Sequence, residues 1–172
     1  MTRPSLVILI AAAVAASLAC GQGENSLAGS LSEVFDLDVS TVHVLRNDDA
    51  LVVSYEHNAG RDIDLVLRFT LAVDQLTLQS GRKVNIAGMT DGGTLRATFL
   101  HNAAGEPARV LPDVSIGEFT LDKGGNPGDD TKGSFSASFV RDGSYGSGRA
   151  VTGNFHAVAL DGGYGGSGSS VT

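Results

Sequence analysis

Apolar and polar residues alternate with a period of two along most of this chain. The clearest run is Asp62 to Leu71. Ile63, Leu65, Leu67, Phe69 and Leu71 share one face, and Asp62, Asp64, Arg68 and Thr70 the other, with Val66 the exception. This is the pattern of a half-buried strand. A helix would scatter the five apolar residues around its circumference. Shorter runs repeat the pattern: Val42 with Val44; Leu51, Val53 and Tyr55; Leu76 with Leu78; Val84 with Ile86; Leu95, Ala97 and Phe99. Gly117, Phe119 and Leu121 follow, then Phe135, Ala137 and Phe139, then Val151, Gly153, Phe155, Ala157 and Ala159. Asn47-Asp48-Asp49 and Gln79-Ser80-Gly81-Arg82 supply turn chemistry between neighbouring runs. The pattern predicts eight or nine strands and an all-β fold, either an antiparallel β-sandwich or a small soluble β-barrel. Ser30 to Asp38 reads two ways. Ser30-Leu31-Ser32-Glu33 suits a capping box opening one helical turn, and Val34-Phe35 suits the start of a first strand.

The alternation is absent at both ends. Leu6 to Ala19 is an uncharged apolar stretch of fourteen residues preceded by Arg3. A bilayer span needs about 20 residues, so the stretch fits the apolar core of a secretory signal. Small residues Ala15, Ala16, Ser17 and Ala19 then lead to Cys20, the single cysteine of the chain. Residues 1–20 resemble the bacterial lipoprotein signal, the lipobox, in which a small residue precedes the cysteine, as Ala19 does here. The resemblance implies cleavage between Ala19 and Cys20, a diacylglycerol on the Cys20 sulfur and an acyl chain on the new amine. The family prefers Leu three places before the cysteine. Ser17 stands there, and Leu18 one place later. Ser17-x-Ala19 also suits an ordinary signal peptidase, which would cut the same bond. That alternative leaves an exported chain with an exposed free thiol, whereas a thioether to lipid accounts for the cysteine. Two or three acyl chains, at about 0.8 kcal/mol per buried CH₂, hold a protein stably on a membrane. In the family, Asp after the cysteine tends to retain the protein at the inner membrane. Gly21 implies the outer membrane instead.

The expected organisation is a signal peptide at 1–19, a lipidated tether at 20–29, one all-β domain at 30–160 and a disordered Gly/Ser-rich tail at 161–172. The net charge is −7. Removing residues 1–19 takes Arg3 from 12 basic side chains and none from 19 acidic ones, so the balance becomes −8. Such a chain repels phosphate backbones and anionic head groups, so a nucleic-acid partner is not expected and lipid rather than charge would hold it at a membrane. A transmembrane barrel is disfavoured because aromatic girdles are missing: there is no Trp, and Tyr occurs only at 55, 145 and 164.

Candidate chemistry is sparse. His43, His57, His101 and His156 lie in four separate segments without ligand spacing, and are read as solvent-facing or singly hydrogen-bonded. The loop Asp122 to Asp130 offers calcium-type oxygen ligands on Asp122, Asn126, Asp129 and Asp130. Its spacing matches no EF-hand, and Asp, Asn and Gly also build ordinary turns. Ser144 and Ser147 sit in a Gly-rich loop without a base partner, and no Gly-x-Ser-x-Gly elbow occurs. The seven Phe read as core. No cofactor is expected. The reading is a non-catalytic binding or structural module of the cell envelope, tethered through Cys20, whose partner is the membrane and an unidentified envelope protein or glycan. The alternatives are a barrel-like carrier of an apolar ligand and, third, an envelope hydrolase.

Overall fold

A computed structural model describes residues 24–74, 76–90 and 92–162. Ala19, Cys20 and the rest of the expected signal segment lie outside the described residues, as does the expected tail from 163. The elements are β1 (Ser26–Ala28), a 3₁₀ turn (Ser30–Glu33), β2 (Thr41–Arg46), β3 (Ala50–Ala59), β4 (Asp62–Ala72), β5 (Lys83–Asn85), β6 (Ala97–Asn102), β7 (Arg109–Val110), β8 (Val114–Lys123), β9 (Asp130–Phe139) and β10 (Ala150–Asp161). The all-β expectation holds. The strands form one mixed sheet in the order β5-β8-β9-β10-β2-β3-β4-β6-β7, with β1 on β10. It curls into a half-barrel.

Strand β10 joins the two halves. It runs antiparallel to β9 over Ala150–Val158, then parallel to β2 through Ala159↔Val44, Leu160↔Leu45 and Asp161↔Arg46. The sheet is therefore mixed rather than wholly antiparallel. Its two margins meet at one corner. Gly88 N–H donates to Val114 O, Thr90 N–H to Thr94 O, and Ala72 N–H to Arg96 O, around a Met89↔Leu95 bridge.

The concave side is filled with rings. Phe69 lies 5.1 Å from Phe99, 5.7 Å from Phe119 and 4.8 Å from Phe135, measured between centroids. Phe139, Phe155 and Tyr55 pack around them. Close ring packing of this kind gives the centre of the fold its density.

Several sequence expectations are corrected. The segment Gly21–Gly29 is not a free tether in its described part. Ser26, Leu27 and Ala28 pair with Asn154, Gly153 and Thr152, and Leu27 packs against the core. A single apolar residue in a polar run carries no period, so this strand is invisible to alternation. At the other end, β10 runs one residue past the expected boundary, and Gly162 N–H still donates to Arg46 O. Ser30–Glu33 is a 3₁₀ turn without a capping box, because the Ser30 hydroxyl accepts from Ala150 N–H instead. Leu76 and Leu78 lie outside the strands, and only Lys83–Asn85 of that predicted hairpin is extended. Phe35 is only partly buried at the margin of the core, where it stacks on His101 with ring centroids 3.9 Å apart.

The run Asp62–Leu71 carries one further correction. Tyr55 pairs with Leu67 and Glu56 with Leu65, so Val66 is an extra, bulged residue. A bulge reverses the parity on its far side. Ile63 is accordingly 62% exposed, while Val66 is 3% exposed.

Candidate functional site

The densest set of charged contacts lies on the outer face of β10, where the described chain begins. Along β10, Val151, Gly153, Phe155 and Ala159 are buried, while Thr152, Asn154, His156, Val158 and Leu160 face outward. His156 Nδ1 lies 2.8 Å from Glu24 Oε2, and Nε2 lies 2.7 Å from Asp130 Oδ1. The other oxygen of Asp130 accepts from Lys123 Nζ at 2.8 Å. The backbone continues the same junction: His156 N–H donates to Asn25 Oδ1 at 2.6 Å.

Three elements deliver these groups. Glu24 precedes β1, Asp130 opens β9 and Lys123 closes β8. With a carboxylate against each ring nitrogen, the doubly protonated imidazolium satisfies both contacts. The bonds from Glu24 and then Asp130 raise the His156 pKa above its ordinary value. The bond to His156 holds the Glu24 carboxyl below the usual carboxylate range. Lys123 first, and then His156, do the same for Asp130. Neither ring nitrogen carries a free lone pair in this state. The arrangement clasps the N-terminal segment to the sheet.

Other predicted residues are distributed as follows. Asp129 Oδ2 accepts from both nitrogens of Asn126, each at 3.0 Å, which closes a turn. Asp130 is engaged by Lys123 and His156, and Asp122 contributes its backbone carbonyl to Ser80 Oγ. Among the described residues, no three His, Cys, Asp or Glu side chains are arranged to share a metal ion. Ser144 Oγ donates to Asp142 Oδ1 at 2.6 Å, and Ser147 Oγ accepts from Asp142 and Gly143 N–H, so both serines organise their own loop.

One histidine departs from the solvent-facing or singly bonded expectation. His156 has two carboxylate partners, contributed from 132 and 26 residues away. His101 is buried, with Nδ1 2.9 Å from the carbonyl of the bulged Val66. His43 lies 3.4 Å from Glu56 Oε2 at an exposed position. No local spacing announces these contacts, because strand pairing alone creates them. A shallow crevice lined by Arg46, Asn47, Asp48, Asn126, Pro127 and Asp161 opens near the far end of β10.

No family model matches the chain, and neither the curated proteins nor the solved structures contain a match.

Proposed function

We propose that this chain is a cell-envelope lipoprotein of the outer membrane, a non-catalytic binding or structural module anchored by lipid on Cys20. The observation that carries the reading is the apolar run Leu6–Ala19 ending at Ala19-Cys20, the only cysteine. The folded part supports it in one respect. The clasp at His156 makes Glu24 part of the domain, four residues after Cys20. Extended chain spans at most about 3.6 Å per residue, so the lipid would lie within about 14 Å of Glu24. An anchor on so short a lead would hold the domain against the membrane rather than on a long stalk.

The test is the intact mass of the protein recovered from membranes, beside a Cys20→Ser variant. The expected mass is that of residues 20–172 plus a diacylglyceryl group and an acyl chain, with the variant lost from the membrane fraction. A bare residue 20–172 mass would mean ordinary signal cleavage and a free Cys20 thiol, and would overturn the proposal.

A further inference from the structure

The outward row of β10 changes character at His156. Thr152, Asn154 and His156 are polar, whereas Val158 and Leu160 are apolar and 53% and 55% exposed. Strand register extends this surface sideways only as far as the half-buried Leu45, opposite Leu160; Val52, next in register, is buried. All of these are on the outer face, because the alternate residues Val44, Leu51, Val53 and Ala159 belong to the core. Apolar side chains scattered singly on a surface need no explanation, but Val158 and Leu160 are successive outward positions of one strand with Leu45 beside them, and such a grouping is a candidate contact surface.

The direction in which the chain runs from β1 toward Cys20 bears on what covers the band. β1 is antiparallel to β10, so the chain traced backward from Ala28 to Glu24 advances along β10 from Thr152 to His156. At a strand rise of about 3.3 Å per residue, Val158 lies about 7 Å beyond His156 and Leu160 about 13 Å. Cys20 is tied to Glu24 by four residues, so its reach covers the same area. The charges on the His156 side of the band are paired, whereas Asp48, Asp129 and Asp161 with Arg46 flank its far end. Glu24 and Asp130 face His156, Lys123 pairs with Asp130, and Lys132 stands opposite His156 in the β9–β10 register.

We infer that Val158, Leu160 and Leu45 seat in the lipid bilayer that holds the acyl chains of Cys20, so that the outer face of β10 is the membrane-facing side of the domain. The inference rests on the lipid-anchor reading. The occupant is the apolar margin of the bilayer interface, which admits side chains to a depth of about 5–10 Å.

The chain contains no Trp, so one introduced indole reports alone. Two variants place it at Leu160→Trp and, as a control, at Ile116→Trp. Ile116 is 74% exposed, opposite Ser138, which is opposite Ala150. Ala150 lies ten residues before Leu160, about 33 Å along the strand. Full-length lipidated protein is placed in phosphatidylcholine vesicles containing brominated phosphatidylcholine, and its intact mass is recorded. The expected result is a blue-shifted, bromine-quenched indole in the Leu160→Trp protein and an unquenched, solvent-like indole in the Ile116→Trp protein. Equal quenching of the two in an acylated sample overturns this inference and leaves the anchor standing. An unacylated mass overturns both. The Cys20→Ser form of the Leu160→Trp protein, free of vesicles, is then tested with iodide. Shielding that grows with concentration identifies a second copy as the occupant, and concentration-independent shielding identifies another segment of this chain. Either result overturns the bilayer assignment.

Discussion

Gly153 lies directly opposite Phe135 in the β9–β10 register, and the Phe135 ring occupies the space in which a Cβ on Gly153 would sit, 2.5 Å away. The pairing is reciprocal. Gly133 lies opposite Phe155, whose ring stands 2.6 Å from the corresponding Cβ position. Each ring lies over its neighbour's missing side chain, which brings the rings of the central cluster within contact distance of one another. Gly153→Ala is therefore expected to destabilise by overpacking, about 1–3 kcal/mol. Phe135→Ala should cost about 3–5 kcal/mol through the cavity it leaves. In the double variant the new methyl enters the vacated space, so the two costs should not add. Urea unfolding of the four proteins measures this, and strict additivity would show that the ring and the glycine are not coupled.

What the sequence made legible is the regular part of the sheet. Phe135/Ala137/Phe139 and Leu51/Val53/Tyr55 alternate over enough residues for their parity to be read directly, and all six side chains are buried. Even Val66, which broke the alternation, marked the bulge. What was not legible depends on partners distant in the chain. Leu27 gains its place from Gly153, and His156 gains its charge partners from Glu24 and Asp130. The parallel β10–β2 pairing leaves no local trace either, since no turn connects the two strands. The exposure of Val158 and Leu160 was not read from the sequence, since both lie beside apolar neighbours on the buried parity.

Tyr55 is fully buried, and its hydroxyl donates to Asn154 O at 3.1 Å across the sheet. Tyr55→Phe removes the donor and leaves a backbone carbonyl with one partner fewer, a cost of about 1 kcal/mol. Burial also raises the Tyr55 phenol far above its ordinary range. In an alkaline titration followed by phenolate absorbance, Tyr55 should ionise only as the protein unfolds. Its ionisation in the folded protein would mean that the interior around Asn154 is open to water.

The bulge at Val66 makes an asymmetric prediction within one strand. Ile63 and Val66 are both apolar β-branched residues, yet one is 62% and the other 3% exposed. Ile63→Asn should change stability by less than about 0.5 kcal/mol. Val66→Asn buries an amide in place of a packed side chain and should cost about 2–4 kcal/mol. Denaturant midpoints of the two variants decide the matter. The reverse order would restore the unbroken alternation that the sequence suggests and remove the bulge.

The clasp at His156 predicts a pH window. The folded-state pKa of His156 is raised, so its contribution is fully present below the ordinary histidine value and is lost as pH rises through the raised value. Those of Glu24 and Asp130 are lowered, so their contributions are present above the ordinary carboxylate values and are lost as pH falls through the lowered ones. All three are present together from about pH 5 to about pH 6.5, bounded by the usual carboxylate and imidazole ranges. These groups are solvent-facing, so salt should weaken the effect. Hydrogen exchange of the Ser26–Ala28 amides is the direct readout, because the clasp holds that strand on β10. Protection should be greatest inside the window and should decline on either side before the protein as a whole unfolds. His156→Gln keeps hydrogen-bonding capacity but cannot carry the charge, so its protection should lose the decline on the alkaline side. A variant with the same pH profile as the parent would show that β1 is held by its backbone pairing and Leu27 alone.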